Sequence, residues 1–451
     1  MKQILITLLL LASTAASVFA GNRFPISMWH ASPRHDDATY EEMVEAGINI
    51  VYDYTASDQM MVLDMCEKYG IKCQVCNVPV LDKDPGDPDF EKNLDEIIAK
   101  YGSHPATWGY HIFDEPRFDS FAKIAAVTKY LKKKDPKHIA FTNLLPNYAG
   151  FPLGGRTFDD YVRTFIKEAE PDMMSYDHYG LMVDGNDRFN STYDNLEVFR
   201  KACRDNNVPF NSIVLSIPHV MGIDRNIGFR DPSEAELRWQ VYTALAYGAK
   251  GILYFCYHVP GWDTDSSIET GKEPCVGFYW GDAIINRDMT RNRKYYIVKE
   301  INREIREMED VLLAADCVAV YNTGIPAEEY AENLVAEGKS ESIDDMIAFA
   351  NGDGLHPGML PLSTTPFPAD YPIQISGGDF TMGVLETRGG KYIMVVNRDY
   401  KHPAAALINF ARPVELKEIA PHGKPIVEVT PTYAVKTLAA GDGILIRVKE
   451  K

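Results

Sequence analysis

Short apolar runs alternate with amphipathic segments over the first two-thirds of the chain. Each run is rich in β-branched and aromatic residues, and apolar positions in the segment after it recur every three or four residues. This alternation predicts strands that are separated by helices. The eight predicted strands are residues 24–30, 48–54, 71–80, 107–113, 138–145, 172–179, 212–218 and 251–257.

Start and stop signals support the helices between these strands. Ser57 precedes one helical segment that ends at Gly70, and Ser233 with Glu236 forms a capping box before another that ends at Gly248. Eight strand and helix units in about 250 residues match a (β/α)8 barrel. A doubly wound sheet is the alternative, but no glycine-rich turn follows the first strand.

The pattern changes after residue 310, where helical periodicity gives way to short alternating runs. These runs are residues 380–386, 391–397, 405–410, 414–419, 426–429 and 443–448. They predict a C-terminal antiparallel β-sandwich. We therefore assign 21–310 to an α/β barrel domain, 311–378 to an irregular linker that packs on the barrel, and 379–451 to the sandwich.

Residues 1–20 have the pattern of a cleavable signal peptide. Lys2 supplies a positive start, residues 4–12 are apolar, and a small-residue site ends at Ala20. The apolar stretch is too short to span a bilayer comfortably, and no cysteine follows it for lipid attachment. The expectation is a secreted or periplasmic protein without stable membrane insertion.

Composition narrows the range of partners. The 451 residues include 46 Lys and Arg against 64 Asp and Glu, a net charge of −18, which disfavours nucleic acid as a partner. A hydrophobic content of 45% with 24% charged residues is typical of a globular protein and excludes disorder as the main state. The seven cysteines leave at least one thiol free, and Cys73-x-x-Cys76 lies in a predicted strand, which favours buried thiols over a zinc site.

Aromatic, carboxylate and histidine side chains gather where the predicted strands end, which is where barrel enzymes place their chemistry. The candidate substrate-binding residues are Trp29, His30, Asp53, His111, Asn143, Tyr176, His178, His219, Tyr254, Tyr257 and, in the long loop 259–288, Trp262. Sugars offer apolar faces for stacking and hydroxyls for hydrogen bonds, so this set predicts an oligosaccharide or polysaccharide substrate. The loop has a second interpretation, as a surface segment that packs on itself.

Glu115 in Asp114-Glu115-Pro116 is the strongest candidate for a catalytic residue. Glycoside hydrolysis needs a carboxylic acid with a raised pKa to protonate the leaving oxygen, and a Glu at the end of strand 4 meets that need. Pro116 ends the strand and fixes the turn that presents Glu115. The alternative is a helix N-cap, since Asp before Pro often starts a helix.

Three segments resemble barrel glycoside hydrolases. YHIFDEP at 110–116 resembles their strand-4 acid motif, and MSYDHY at 174–179 is similar to strand 6 of family 42 β-galactosidase-like and chitinase-like barrels. YTALAYGAKGILYF at 242–255 resembles strand 8 of the same group and of family 123 N-acetylgalactosaminidases. The resemblance covers roughly residues 24–310 and implies an exported glycoside hydrolase.

The chain departs from the β-galactosidase-like pattern at two positions. That resemblance implies a Glu nucleophile at the end of strand 7 and an Asn before the acid, but 214–219 is VLSIPH, and Asp114 precedes Glu115. Both departures fit a substrate-assisted mechanism, in which a 2-acetamido group is the nucleophile. Asp114 then orients the acetamide, Glu115 is acid and then base, and Tyr176 stabilises the cyclised intermediate, as in chitinase-like barrels.

Two further mechanisms stay open from the residues alone. Asp177 is a candidate nucleophile or inverting base opposite Glu115, with a separation of about 5 Å for retention and about 6.5–9.5 Å for inversion. The missing strand-7 nucleophile also fits an inactive carbohydrate-binding barrel. His30, His178, His219 and His258 permit a metal site, but without paired ligand spacing we expect neither a metal nor a cofactor.

Overall fold

The computed structural model describes residues 23–221, 227–260, 278–323, 365 and 367–451. Its core is a closed barrel of eight parallel strands, as predicted. Strands are numbered in chain order: β1 Ile26–Trp29, β2 Ile50–Tyr52, β3 Lys72–Val75, β4 Thr107–Asp114, β5 Ile139–Leu144, β6 Met173–Tyr176, β7 Phe210–Leu215, β8 His219–Met221, β9 Ile227–Phe229 and β10 Gly251–Phe255. The barrel runs from β1 to β7 in sequence order and closes through β10, which pairs with both β7 and β1.

Helices follow most of the barrel strands and cover them on the outside. They are α1 Asp37–Glu45, α2 Gln59–Lys68, α3 Phe90–Tyr101, α4 Phe121–Lys134, α5 Phe158–Ala169, α6 Phe189–Asn206, α7 Glu234–Ala246 and α8 Arg293–Ala314. The capping box of Ser233 and Glu236 is present at α7. At α2 the cap is Asp58, whose carboxylate accepts from the Met60 N–H, so the predicted start at Ser57 is one residue early.

A small antiparallel sheet follows the carboxyl ends of β7 and β10. It is built from β8, β9 and β11 Phe278–Trp280, in the order β11-β8-β9. The sequence pattern did not predict these strands, because three-residue segments are too short to show an alternation.

The C-terminal domain is a β-sandwich of two antiparallel sheets, as predicted. Its strands are β12 Asp316–Asn322, β13 Ile373–Ser376, β14 Phe380–Thr387, β15 Gly390–Asn397, β16 Ala404–Phe410, β17 Val414–Ile419, β18 Val427–Thr430, β19 Tyr433–Leu438 and β20 Gly443–Glu450. One sheet has the order β12-β14-β15-β20-β17 and the other β13-β16-β19-β18.

The boundary between the predicted linker and the sandwich needs correction. Both β12 and β13 lie within 311–378, which the sequence analysis assigns to an irregular linker, so sandwich strands begin at Asp316. β12 was missed because it follows α8 after a single residue, without a turn signal to separate the two patterns. Residues 324–364 of the predicted excursion lie outside the described residues.

The sandwich packs closely against α7 of the barrel. Gly383 of β14 lies so near this helix that a Cβ atom added to it would stand 2.0 Å from the Ala246 carbonyl oxygen. Arg238 of α7 donates to Glu304 of α8 at 2.9 Å and to Asp442 of the sandwich at 3.2 Å, which links the domains by charge as well. Among the described residues, no helix combines the length and apolar composition needed to cross a membrane.

We expect Gly383→Ala to lower the free energy of unfolding by about 1–3 kcal/mol, the usual effect of overpacking a filled interface. The Cβ would meet backbone atoms of α7, which cannot rotate away. Gly389→Ala is the matched control, since its Cβ would meet only the Thr387 hydroxyl at 3.6 Å. Denaturant unfolding measures both variants, and equal midpoints would contradict the expected close contact.

Candidate active site

The end of β4 presents two adjacent carboxylates to the mouth of the barrel. Asp114 is the last residue of β4, and the backbone N–H of Glu115 donates to the Asn143 carbonyl of β5 at 2.9 Å. Glu115 has φ +53°, in the left-handed region that non-glycine residues seldom adopt. Neighbours on a regular strand point to opposite faces, and this turn of the backbone breaks that alternation. Asp114 and Glu115 therefore lie close enough for the charge of Glu115 to act on Asp114.

Asp177, just after β6, joins these two residues. Its carboxyl lies close enough to that of Glu115 for each to shift the pKa of the other, and its Oδ1 is buried without a hydrogen-bond partner among the described residues. Two carboxyls so close to each other do not ionise together readily, so they share one proton. We call Asp114, Glu115 and Asp177 the carboxyl cluster.

The carboxyl cluster retains protons at higher pH than free carboxylic acids do. Desolvation, followed by the charge of Glu115, raises the pKa of Asp114 to about 7. Desolvation also raises the pKa of Glu115, although the interaction with Asp177 lowers it. The same cause with both neighbouring carboxyls raises the pKa of Asp177 well above its usual range. Asp114 and Glu115 keep solvent access at the barrel mouth, so their desolvation comes from protein atoms beside and beneath them. The cluster can therefore hold an acidic proton at neutral pH.

A polar relay inside the barrel fixes the position of Asp114. The Asn143 amide donates to Asp114 Oδ1 at 2.9 Å, and the Ser175 hydroxyl of β6 donates to Asn143 Oδ1 at 2.7 Å. Asn143 thus donates to a carboxylate. This hydrogen bond lowers the pKa of Asp114, whereas burial raises it. Ser175 was not among the predicted site residues, although it is adjacent to the predicted residue Tyr176 in the same strand.

We expect Asn143→Ala to raise the pKa of Asp114 above about 7, because the hydrogen bond that favours the charged form is lost. ¹³C NMR titration of the aspartate carboxyl carbons measures this change. Ser175→Ala keeps the Asn143 amide but frees it to rotate, so a smaller shift in the same direction is expected. An unchanged titration in Asn143→Ala would show that the relay does not act on Asp114.

Tyrosines and a phenylalanine surround the carboxyl cluster at the barrel mouth, and we call the space that they border the recess. Tyr179 stacks on Phe255 with ring centroids 5.5 Å apart, and its N–H donates to the Tyr148 hydroxyl at 3.1 Å. The charges of the carboxyl cluster contribute to the raised pKa of Tyr179, after desolvation, so its hydroxyl lies near all three carboxyls. Tyr54 stands on the Asp114 side, where desolvation first and then nearby groups, including Asp114, raise its pKa.

These three tyrosines were not among the predicted site residues. The signal for Tyr54 was the alternation in Tyr52-Asp53-Tyr54, since Tyr52 lies inside the barrel with ring contacts to Trp29 and Phe141. Tyr148 and Tyr179 follow β5 and β6 in loops, where strand alternation no longer predicts direction.

Tyr176 was predicted to face the substrate, and the structure corrects this. Its buried ring packs against Phe158 of α5 at 6.2 Å and Phe199 of α6 at 4.3 Å, outside the barrel. The reason is the register of β6, in which Ser175 pairs with Asn143 and points inward. The tyrosine beside the carboxyl cluster is instead Tyr179.

Four other predicted binding residues also point away from the recess. Tyr254 donates to Asn302 of α8 at 2.8 Å, and Tyr257 donates to Glu42 of α1 at 2.9 Å. His178 contacts the Ser191 hydroxyl of α6 at 2.8 Å. Asp53 is fully buried and accepts from the backbone N–H of Thr55 at 2.7 Å and of Ala56 at 3.0 Å, so it holds the loop after β2.

The remaining predicted residues lie in or beneath the recess. Trp29 is buried and stacks on Tyr54 at 5.1 Å, so it supports the wall from below. His111 lies beside it inside the barrel, with Nδ1 2.6 Å from the Tyr54 hydroxyl, and burial lowers its pKa to about 3. His219 packs on Trp280 at 4.7 Å, next to Phe255, and burial lowers its pKa to about 4.

Two further predictions concern Trp262 and the absence of a metal site. Trp262 lies outside the described residues. Within the ranges that the structure describes, no group of three or more His, Cys, Asp or Glu side chains is arranged to hold a metal ion.

Comparisons with known proteins assign the chain to no family. No family model and no curated protein matches the chain. The β-galactosidase of psychrophilic Marinomonas ef1 is 10% identical, with 95% of this chain and 100% of that chain covered and a TM-score of 0.49. The GH10 xylanase of Thermobacillus composti is 13% identical, with 63% and 98% covered and a TM-score of 0.43. Such distant likenesses carry no argument about the reaction, which has to be inferred from the site.

Proposed function

We propose that this chain is a glycoside hydrolase that cleaves a glycosidic bond in an oligosaccharide or polysaccharide, with Glu115 as the general acid. The observation that carries the proposal is the placement of three carboxyls, Asp114, Glu115 and Asp177, together at the mouth of the barrel, where each of them has a raised pKa. This placement holds a proton at the mouth of the barrel to a higher pH than a free carboxyl does, and Glu115 can pass it to a leaving oxygen. The aromatic walls provide faces on which a sugar ring can stack.

The contact between Glu115 and Asp177 also favours one stereochemical outcome. An inverting enzyme needs about 6.5–9.5 Å between its two carboxyls, because a water molecule must fit beside the sugar. Glu115 and Asp177 interact directly enough to shift each other's pKa, which favours a shorter separation than this. The geometry therefore supports retention of the anomeric configuration.

The nucleophile that this arrangement supports best is the substrate's own 2-acetamido group. A carboxyl that shares a proton, as Asp177 does, is a weak nucleophile, and β7 ends without a carboxylate. Asp114 is held by Asn143 at the same end of the barrel and can accept from the acetamide N–H. The Tyr179 hydroxyl, whose pKa responds to the charges of the carboxyl cluster, is our candidate for the donor to the acetamide oxygen in place of Tyr176.

A second candidate mechanism uses Asp177 as a covalent nucleophile. It is favoured by the buried Oδ1 of Asp177, which has no hydrogen-bond partner among the described residues and is free to attack if the proton moves to Glu115. Both mechanisms retain configuration and both use Glu115 as the acid. They differ in whether the substrate must carry an acetamide.

The proposal is tested with nitrophenyl glycosides of galactose, glucose, N-acetylgalactosamine and N-acetylglucosamine. Turnover of one or more of them by the wild-type chain, lost in Glu115→Gln, supports a hydrolase. Binding of sugars without any turnover would indicate a carbohydrate-binding barrel instead. The leader at 1–20 further leads us to propose a secreted or periplasmic location for this activity.

We expect the first sugar released to have the same anomeric configuration as the bond that is cleaved. ¹H NMR spectra of the anomeric protons, recorded within minutes of mixing, measure this before mutarotation sets in. The opposite anomer would require a water molecule between Glu115 and Asp177, and would therefore show that these carboxyls separate when substrate binds.

A further inference from the structure

A buried tyrosine of α5 holds the turn that carries Glu115. The Tyr161 hydroxyl donates to the Pro116 carbonyl oxygen at 2.6 Å. The same hydroxyl accepts from the backbone N–H of Leu145, just after β5, at 3.4 Å. One side chain on the outside of the barrel therefore joins the segment that follows β4 to the segment that follows β5.

Packing and a helix cap fix the position of the Tyr161 hydroxyl. The ring is fully buried, and its centroid lies 4.9 Å from that of Phe121 in α4 and 6.4 Å from that of Phe158 in α5. The Thr157 hydroxyl caps α5 and accepts from the Asp160 N–H at 3.1 Å. A packed ring on a capped helix has little freedom to move, so whatever this hydroxyl binds is attached to a rigid part of the fold.

The turn at Glu115 needs such a restraint because its backbone conformation is unfavourable. A φ of +53° is costly for a residue with a Cβ atom and persists where the surrounding contacts enforce it. Before the turn, the Glu115 N–H donates to the Asn143 carbonyl at 2.9 Å. After the turn, the Tyr161 hydroxyl holds the Pro116 carbonyl. The energy of a hydrogen bond is comparable with the cost of one left-handed residue, so loss of either bond can release the turn.

We propose that Tyr161 is a positioning residue that holds the general acid Glu115 toward the substrate. It acts through the backbone of Pro116 rather than by contact with the substrate. This inference rests on the proposed glycoside hydrolase function, in which the Glu115 carboxyl must come within hydrogen-bond reach of the leaving oxygen. Misplacement of a catalytic group by about 1 Å can reduce the rate strongly, so a side chain behind the turn can control proton transfer.

Tyr161→Phe tests the proposal because it removes the hydroxyl and keeps the ring. We expect kcat/KM for glycosides with a poor leaving group to fall about three- to tenfold, the usual effect of one lost hydrogen bond. With a dinitrophenyl leaving group, whose departure needs no proton, kcat/KM should change little. Incorporation of 4-aminophenylalanine at position 161, which keeps an N–H donor, should restore the first value. An equal loss with both leaving groups, or no loss with either, overturns the positioning role.

Tyr295→Phe is the matched control for this substitution. Tyr295 is also fully buried and lies in the first turn of a helix, α8, and its hydroxyl also donates to a backbone carbonyl, that of Glu42, at 3.0 Å. The same chemical loss there should leave the ratio of the two kcat/KM values unchanged, because Glu42 is not part of the turn at Glu115. Thermal unfolding of both variants shows whether they keep the fold.

Thr157→Ala provides a second variant that decides the question if Tyr161→Phe fails to fold. It keeps the Tyr161 hydroxyl but removes the cap of the helix that carries it, so the hydroxyl is held less firmly. We expect a smaller decrease in kcat/KM, again confined to substrates with a poor leaving group. A decrease that is the same for both leaving groups contradicts the proposal here as well.

A measurement without turnover separates this inference from the proposed function. The titratable groups that respond to the charge of Glu115 are Asp114, Asp177, Tyr148, Tyr161 and Tyr179. Burial raises the pKa of Tyr161, so its hydroxyl is uncharged and Tyr161→Phe removes no charge. If the turn relaxes toward solvent, the pKa of Glu115 falls toward its usual range, because desolvation is the larger cause and the interaction with Asp177 the smaller.

We expect ¹³C NMR titration of the glutamate carboxyl carbons to show this decrease in Tyr161→Phe and not in Tyr295→Phe. The titration needs no substrate. A lowered Glu115 pKa in a chain that cleaves no glycoside supports the positioning role while the proposed function fails. Identical Glu115 titrations in the wild type and in Tyr161→Phe overturn the positioning role while the proposed function stands.

Discussion

Replacing Glu115 with Gln is expected to lower kcat about 10²–10⁴-fold on substrates with a poor leaving group. Gln has the same shape but cannot donate a carboxylic proton to the leaving oxygen. The effect on kcat/KM, which reports the first step, should nearly vanish with a dinitrophenyl leaving group, because that group departs without protonation. Kinetics on the two kinds of substrate measure this difference.

The pH profile of the same variant gives an independent measurement. In the wild type, activity falls as pH rises through the raised pKa of the proton that Glu115 shares with Asp177, because the acid form is lost. Glu115→Gln has no such proton, so the alkaline decline should disappear. A decline that stays at the same pH would assign the acid to another residue.

Glu170→Gln is the matched control for this substitution. Glu170 is also an exposed glutamate in the left-handed conformation, with φ +49° against +53° for Glu115, but it lies at the end of α5 and pairs with Lys129. The same chemical change in the same backbone conformation should leave kcat unaltered there. Thermal unfolding of both variants shows whether either substitution disturbs the fold.

The strands could be predicted from the sequence because their burial leaves a strong pattern. All eight barrel strands lie at the predicted runs, because a strand that is buried on both faces is apolar along its whole length. The same property hides the direction of each side chain. Ser175 and Tyr176 are adjacent in a run that is apolar throughout, and only pairing with Asn143 reveals that Ser175 points inward.

The assembly of the site depends on features that a single sequence shows less clearly. An irregularity in the pairing of β4 with β5, between His111 and Phe113, shifts the register just before Asp114. The left-handed conformation of Glu115 then completes the turn, of which only Pro116 gave a sequence signal. The interaction between Glu115 and Asp177 joins residues that follow β4 and β6, which are not neighbouring strands, so it depends on the closed barrel.

If the substrate supplies its own nucleophile, a thiazoline that mimics the cyclised acetamido sugar should inhibit strongly. Analogues of a high-energy intermediate can bind about 10²–10⁸-fold tighter than substrates, because the site is complementary to that state. Competitive inhibition constants, compared with KM for the matching N-acetyl glycoside, measure the effect. Glycosides with a 2-hydroxyl in place of the acetamide should be cleaved far more slowly, since they lack the nucleophile.

Asp177→Gly with added azide distinguishes the two retaining mechanisms. If Asp177 is the covalent nucleophile, azide enters the space that its carboxylate leaves, restores turnover and forms a glycosyl azide of inverted configuration. If the acetamide is the nucleophile, Asp177 only positions the proton of Glu115, and azide restores nothing. The shared proton makes Asp177 a weak nucleophile in the resting site, so we expect no rescue, together with a changed pH profile in Asp177→Asn. Rescue by azide, with rapid cleavage of 2-hydroxyl substrates, would instead assign the nucleophile to Asp177 and leave Asp114 a supporting role.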